Sequence, residues 1–151
     1  MFRPVNVHAT AIVIGTTGLI FFGQSGAGKT SVALHCIKRS RARGNYAALI
    51  SDDQVMLSIV NTRVVGRPPP AIAGLAEIRG AGIFSVKSIP CALLHRAILI
   101  VQPSECERMA PENETHEVLP GHFLPASRLP LHAGSDPFDI LTTIAPELHG
   151  C

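Results

Sequence analysis

The stretch that decides the fold is "LIFFGQSGAGKTSVALHCIK", Leu19 to Lys38. Four apolar residues run into a glycine-rich turn, and the turn opens a lysine-bearing amphipathic segment. Gly23, Gln24, Ser25, Gly26, Ala27, Gly28, Lys29 and Thr30 satisfy GxxxxGK[ST] in the strand–loop–helix context that the motif requires. Each part has a physical reason. Glycines let successive backbone N–H groups converge on an anion. The helix that follows adds unpaired donors and the positive end of its dipole. Lys29 brings a point charge to the β- and γ-phosphates, and Thr30 a hydroxyl for Mg²⁺. The competing explanation is an ordinary βα turn that happens to hold a lysine. Motif and context together favour a cradle for a nucleoside triphosphate.

Working outward, "AIVI" (Ala11 to Ile14) and "LIFF" (Leu19 to Phe22) flank "GTTG" and predict a β-hairpin with a four-residue loop. Thr30 to Arg43 predicts a helix, with Val32 and Cys36, then Ala33 and Ile37, as i, i+4 apolar pairs. Lys38, Arg39, Arg41 and Arg43 crowd its end and Gly44 follows, which is a helix stop. A solvated helix end explains these cations better than a phosphate or nucleic-acid patch. "YAALI" (Tyr46 to Ile50) predicts a buried strand, "VMLSIV" and "TRVVG" a pair turning at Asn61, and "AILIV" (Ala97 to Val101) a further strand. "LAEIRGAGI" (Leu75 to Ile83) reads as a short strand entering a glycine-containing loop, and "RPPP" (Arg67 to Pro70) interrupts regular structure. Gln102 to Arg128 is polar and proline-bearing and predicts a mobile region. "PFDILTTIAPEL" predicts a closing helix.

The chain's 151 residues, 46% of them hydrophobic, suffice for one domain with one sizeable core. We therefore expect residues 1–151 to form a single domain. A net charge of +2 gives no basis for a nucleic-acid partner. Cys36, Cys91, Cys106 and Cys151 lack CxxC spacing and read as free thiols in a reducing cytoplasm. The seven histidines include no HExxH and no i, i+4 pair, which disfavours a histidine metal site. "MFRPVNVHAT" has no apolar signal core, and the apolar runs are too short to span a bilayer, so no membrane association is expected.

A kinase built on a P-loop also needs carboxylates for metal and acceptor. Asp52 and Asp53 close the strand that follows the P-loop helix, the edge where ligand groups gather in an open α/β sheet. One can serve metal or loop structure while the other faces the acceptor. "SDDQ" is also good turn chemistry, but beside a P-loop the functional explanation is stronger. Glu77 interrupts the apolar "LAEIRG", where a carboxylate is costly unless paired or on metal. A salt bridge to Arg79 or simple outward alternation would account for it equally well.

Together "HAT" (from His8), "GQSGAGKT", "SDDQV", "AEIRGAGI" and "ERM" (Glu107 to Met109) resemble, in order and spacing, the catalytic domain of the HPr kinase/phosphorylase family. The resemblance covers nearly the whole chain and implies the short, single-domain form without the family's N-terminal domain. It implies an α/β P-loop domain with a mixed central sheet, similar to the nucleotide domain of phosphoenolpyruvate carboxykinase; the hairpin before the P-loop agrees with such a sheet. It implies an ATP- and Mg²⁺-dependent kinase that phosphorylates a serine of an HPr-like phosphocarrier protein. In that scheme Gly23 to Thr30 bind ATP, Thr30 and Glu77 hold the metal, and Asp53 takes the serine proton, which leaves Asp52 as the member of the pair for metal or loop structure. His8, Lys29 and Arg108 assist at the phosphoryl group, and Ala76 to Ser85 form a catalytic loop. A homo-oligomer is compatible with the sequence.

One segment departs from the family. Where members carry a stretch near "PVxxGRN" that matters for the reverse, phosphorolytic reaction, this chain has "PLHAGSD", Pro130 to Asp136. Ser135 and Asp136 replace the arginine and asparagine, exchanging a phosphate-binding fork for a hydroxyl and a negative charge. The resemblance then implies weak or absent reverse activity. Two alternatives share the cradle: a P-loop kinase for a small metabolite, which should carry an arginine-rich lid, and a non-catalytic nucleotide-dependent regulator.

Overall fold

Apolar runs without alternation need cover on both faces, and the fold supplies it in three layers. The computed structural model describes residues 3–151. Its strands are β1 (Val5–His8), β2 (Thr10–Ile14), β3 (Thr17–Phe22), β4 (Ala47–Ser51), β5 (Gln54–Val60), β6 (Arg63–Arg67), β7 (Leu75–Ile78), β8 (Gly82–Ser85), β9 (Ala92–Leu93), β10 (Arg96–Val101), β11 (Thr115–Leu119) and β12 (His122–Pro130). Its helices are α1 (Lys29–Ala42) and α2 (Pro137–Ile144). A six-stranded mixed sheet in the order β11-β12-β10-β3-β2-β4 is the middle layer. Ile12, Ile14, Leu19, Phe21, Ala47 and Leu49 face α1 and α2 on one side. Their neighbours Ala11, Val13, Ile20, Ala48 and Ile50 face Val55, Leu57 and Val64 of the second sheet, β1-β5-β6-β9. Alternate residues of the same strand thus feed two cores.

Sheet directions place the site. β12, β10 and β3 are parallel. β2 lies antiparallel between β3 and β4, so β4 points the same way as β3. The carboxyl ends of β3 and β4 therefore share one edge, with the start of β2 between them. That edge holds the P-loop, the aspartate pair and the residues joining β1 to β2.

Several expectations needed revision. The β2–β3 hairpin turns in two residues, not four, with Ile14 paired to Thr17 and Gly15 at φ 61. The pairing of β5 with β6 is as expected, with Asn61 and Thr62 making the turn at φ 50 and 65. The glycine-containing loop after Glu77 is a second hairpin, β7–β8, with Glu77 opposite Ile83. The last helix stops at Ile144, before Pro146, and a 3-10 turn (Pro146–Leu148) follows. The segment read as mobile contains β11 and the nine-residue β12. Pro125 is tolerated because β12 pairs with β10 only from Ala126 onward and meets β11 at Thr115, that strand's first residue.

The cations at the end of α1 are also more than a solvated terminus. Arg39 pairs with Asp136 at 3.1 Å, Arg43 with Asp139 at 3.4 Å, and the Arg43 guanidinium lies 5.0 Å from the Phe138 ring centroid. Asp136 caps α2 by accepting from Phe138 N at 2.8 Å and contacts His35 Nε2 at 2.6 Å. Partial burial raises its pKa, but the His35 hydrogen bond, the Phe138 N–H and the nearby cations outweigh that and hold the carboxyl below its usual range. Asp136 thus clasps α1 to α2. Beneath it the buried Cys36 thiol is pushed up to about 12, by desolvation and then by the Asp136 charge. All four cysteines are free, as expected.

Candidate active site

The turn from β3 to α1 bends at two glycines with left-handed backbones, Gly26 at φ 80 and Gly28 at φ 98. Gly28 is the N-cap of α1 and offers no side chain to its first turn. The opening N–H groups of a fourteen-residue helix are thereby left for an anion. Lys29 is only 6% exposed, and its Nζ donates to Gly23 O at 2.9 Å and Gln24 O at 3.2 Å. The lysine braces its own loop and keeps a third N–H uncommitted.

Asp52 and Asp53 face opposite environments. Asp52 is 4% exposed. Its Oδ1 accepts from Thr10 Oγ1 at 3.1 Å and Thr30 Oγ1 at 2.6 Å, and its Oδ2 accepts from Glu77 N at 3.1 Å. One carboxylate joins β2, α1 and β7. The Asp53 side chain is 65% exposed, with Oδ1 3.3 Å from His8 Nδ1. Its backbone is left-handed at φ 66, uncommon outside glycine. His8, which looks from sequence like a residue near a frayed end, lies in β1 paired with Gln54.

A cleft of about 350 Å³ is lined by His8, Ser25, Gly26, Gly28, Lys29, Thr30, Ser31, Asp52, Asp53, Glu77 and Arg79. It gathers candidates from four separate segments. Glu77 is exposed on β7, and no carboxylate–cation contact within 4.0 Å involves it among the described residues, so of the two competing explanations the bridge to Arg79 is not made and the outward placement is. Arg108 is not brought in: it sits exposed in the loop before β11, outside the cleft lining. Ser31 and Thr10 were not singled out from sequence, and Arg79 entered only as a partner for Glu77 and as a member of the loop Ala76 to Ser85. Arg79 lies over the P-loop, its Nη1 3.3 Å from where a Gly26 Cβ would stand. Its position beside Glu77 within "EIRG" was the available signal. Thr10 gave none beyond its place in "HAT".

The donor set fits a hard divalent cation. Thr30 gives its hydroxyl proton to Asp52, which leaves oxygen lone pairs available, and Glu77 offers an unpaired carboxylate in the same cleft. Oxygen ligands of this kind suit Mg²⁺.

The family profile described as HPr Serine kinase C-terminal domain matches residues 1–149. The HPr kinase/phosphorylase of Caldicellulosiruptor bescii is 31% identical over 141 residues, covering 86% of this chain and 43% of that protein. That of Clostridium beijerinckii is 31% identical over 84 residues, covering 56% of this chain and 26% of that protein. The chain thus spans less than half the length of these curated relatives. The structure of the Hpr(Ser) kinase/phosphatase from Coxiella burnetii superposes with a TM-score of 0.79 at 24% identity, over 95% of this chain and 89% of that one, so the fold is shared.

The burial contrast predicts unequal costs of substitution. Asp52→Ala strands two hydroxyls and the Glu77 N–H and should cost about 2 kcal/mol or more in urea unfolding. Asp53→Gly relieves a left-handed backbone and should change stability by less than about 1 kcal/mol. Equal losses would contradict the division between hub and exposed carboxylate.

Proposed function

Because the chain belongs to the HPr serine kinase C-terminal domain family, we propose that residues 1–151 act as a single P-loop catalytic unit. It transfers the γ-phosphoryl group of ATP to a serine of an HPr-like phosphocarrier protein. The observation that carries this is an exposed carboxylate, Asp53, in the same cleft as a P-loop whose helix N-terminus is uncapped. A non-catalytic regulator gives no reason for an exposed carboxylate beside the phosphate cradle. Among the described residues no helix is long and apolar enough to cross a membrane, which suits a cytoplasmic acceptor.

The residues divide the work as follows. The segment Gly23 to Thr30 holds the phosphates through the backbone N–H groups it leaves open, Ala27 N–H being given to Gln24 O at 2.9 Å, with the third N–H of Lys29 and the Arg79 guanidinium adding positive charge. Thr30, Glu77 and Asp52 hold Mg²⁺: Thr30 and Glu77 offer oxygens directly, and Asp52 orients the Thr30 hydroxyl. Mg²⁺, when bound, would offset the negative charge of the phosphates as the γ-phosphoryl group leaves. Asp53 accepts the proton of the attacking serine, and His8 holds the Asp53 carboxylate at 3.3 Å. A role for Arg108 rests on the resemblance alone, since its loop lies outside the cleft lining.

Reverse, phosphorolytic activity should be weak. Ser135 is exposed in a neighbouring cavity shared with Leu131, and it provides no cation for inorganic phosphate. Asp136 is occupied in clasping α1 to α2.

Two measurements test these assignments. Asp53→Asn is nearly isosteric but cannot take the proton, so ATP affinity should persist while single-turnover transfer falls by about 10²–10⁴. Asp52→Asn should instead raise the Mg²⁺ requirement. Wild-type transfer by Asp53→Asn together with a dead Asp52→Asn would reverse the two roles. With phosphorylated acceptor and excess inorganic phosphate, the wild type should run slowly. Ser135→Arg with Asp136→Asn should accelerate it, because asparagine still caps α2. A wild-type reverse rate equal to the forward rate would show that the departure does not matter.

A further inference from the structure

Three consecutive residues of "HAT" grip three different groups of Asp53. His8 Nδ1 lies 3.3 Å from the carboxylate. Ala9 N donates to Asp53 O at 3.1 Å. Thr10 Oγ1 accepts from Asp53 N at 3.4 Å. The same hydroxyl gives its one proton to Asp52 Oδ1 at 3.1 Å, so its donor and acceptor capacities are used on adjacent aspartates. Thr10 is 0% exposed, and its branched side chain is stiff about χ1. No water reaches the hydroxyl to compete for either bond.

We infer that Thr10 is a positioning residue for phosphoryl transfer: its buried hydroxyl locks the Asp53 backbone in the left-handed conformation that aims the carboxylate into the cleft. The inference rests on the proposed role of Asp53 as proton acceptor. A non-glycine residue at φ 66 carries backbone strain that its contacts must offset. Here the Asp53 N–H and C=O are both held by the β1–β2 junction. Because Asp52 anchors the hydroxyl from the other side, the lock is tied to the carboxylate that orients Thr30. The metal side and the acceptor side of the cleft then share one buried oxygen.

Thr10→Val keeps the shape and deletes that oxygen, while Thr10→Ser keeps the oxygen and deletes a methyl. Thr10→Val should lower single-turnover transfer about 10–100-fold, the usual cost of losing an outer-shell partner, with ATP affinity little changed. Thr10→Ser should stay within a few-fold of wild type. In an Asp53→Asn background Thr10→Val should cost clearly less than it costs the wild type, because the part of its effect that runs through the Asp53 carboxylate is already gone and only the Asp52 contact is left to lose. A crystal structure of Thr10→Val should show Asp53 out of the positive-φ region. If Thr10→Val does not fold, Thr10→Cys removes the strong hydrogen bonds at similar volume and takes its place. The proposal is overturned if Thr10→Val and Thr10→Ser lose activity equally, if Thr10→Val slows Asp53→Asn as much as wild type, or if Asp53 keeps its positive φ in Thr10→Val. Should the wild type phosphorylate no serine, the kinase assignment fails, and the Asp53 backbone in the Thr10→Val crystal still decides whether Thr10 holds it.

Discussion

The buried carboxylate of Asp52 is the constraint on which the site depends. A carboxylate at 4% exposure is costly unless hydrogen-bonded. This one accepts from Thr10 on β2, Thr30 on α1 and the Glu77 N–H on β7. Those elements are far apart in sequence, and the Asp52 carboxylate joins all of them. Removing the hub would free the P-loop helix, the strand carrying Glu77 and the junction behind Asp53 together. A packed apolar residue could stabilise the same space, but it could not orient a hydroxyl toward a cation.

The neighbouring Asp53 shows what a second aspartate adds to the proposed reaction. A single carboxylate cannot be both fully satisfied and free to accept a proton. Consecutive residues leaving a strand point to different sides, so Asp52 turns into the protein and Asp53 into the cleft. The left-handed backbone at Asp53 makes that divergence sharp, and its cost is met by contacts from His8, Ala9 and Thr10. Lys29 illustrates the same economy: it braces the loop through Gly23 and Gln24 carbonyls and still keeps a donor for phosphate.

Much of this was legible in the sequence because local chemistry and global fold agreed. The P-loop, its preceding strand and its helix followed from glycine spacing and apolar periodicity, and α1 spans Lys29–Ala42 against an expected Thr30 to Arg43. The aspartate pair was found from its place after β4, but which member is buried was not, because that depends on Thr10, 42 residues away. β11 and β12 were missed because Pro125, Arg128 and Glu114 look like loop chemistry. In the fold Arg128 and Glu114 satisfy one another at 2.9 Å, and the proline falls where the ladders begin. The arginines of α1 were read as solvated, since their partners Asp136 and Asp139 lie about a hundred residues on. Arg79 over the P-loop required the β7–β8 hairpin, which the glycines of "RGAGI" disguised as a loop.

The account stands or falls on whether the cleft transfers phosphate rather than merely holding it. The direct measurement is incubation of the purified chain with γ-labelled ATP, Mg²⁺ and the HPr-like protein of the same organism, followed by mapping of the label. The account predicts Mg²⁺-dependent labelling of a serine on that acceptor. Tight ATP binding with no label on any protein would contradict it and leave a nucleotide-dependent regulator.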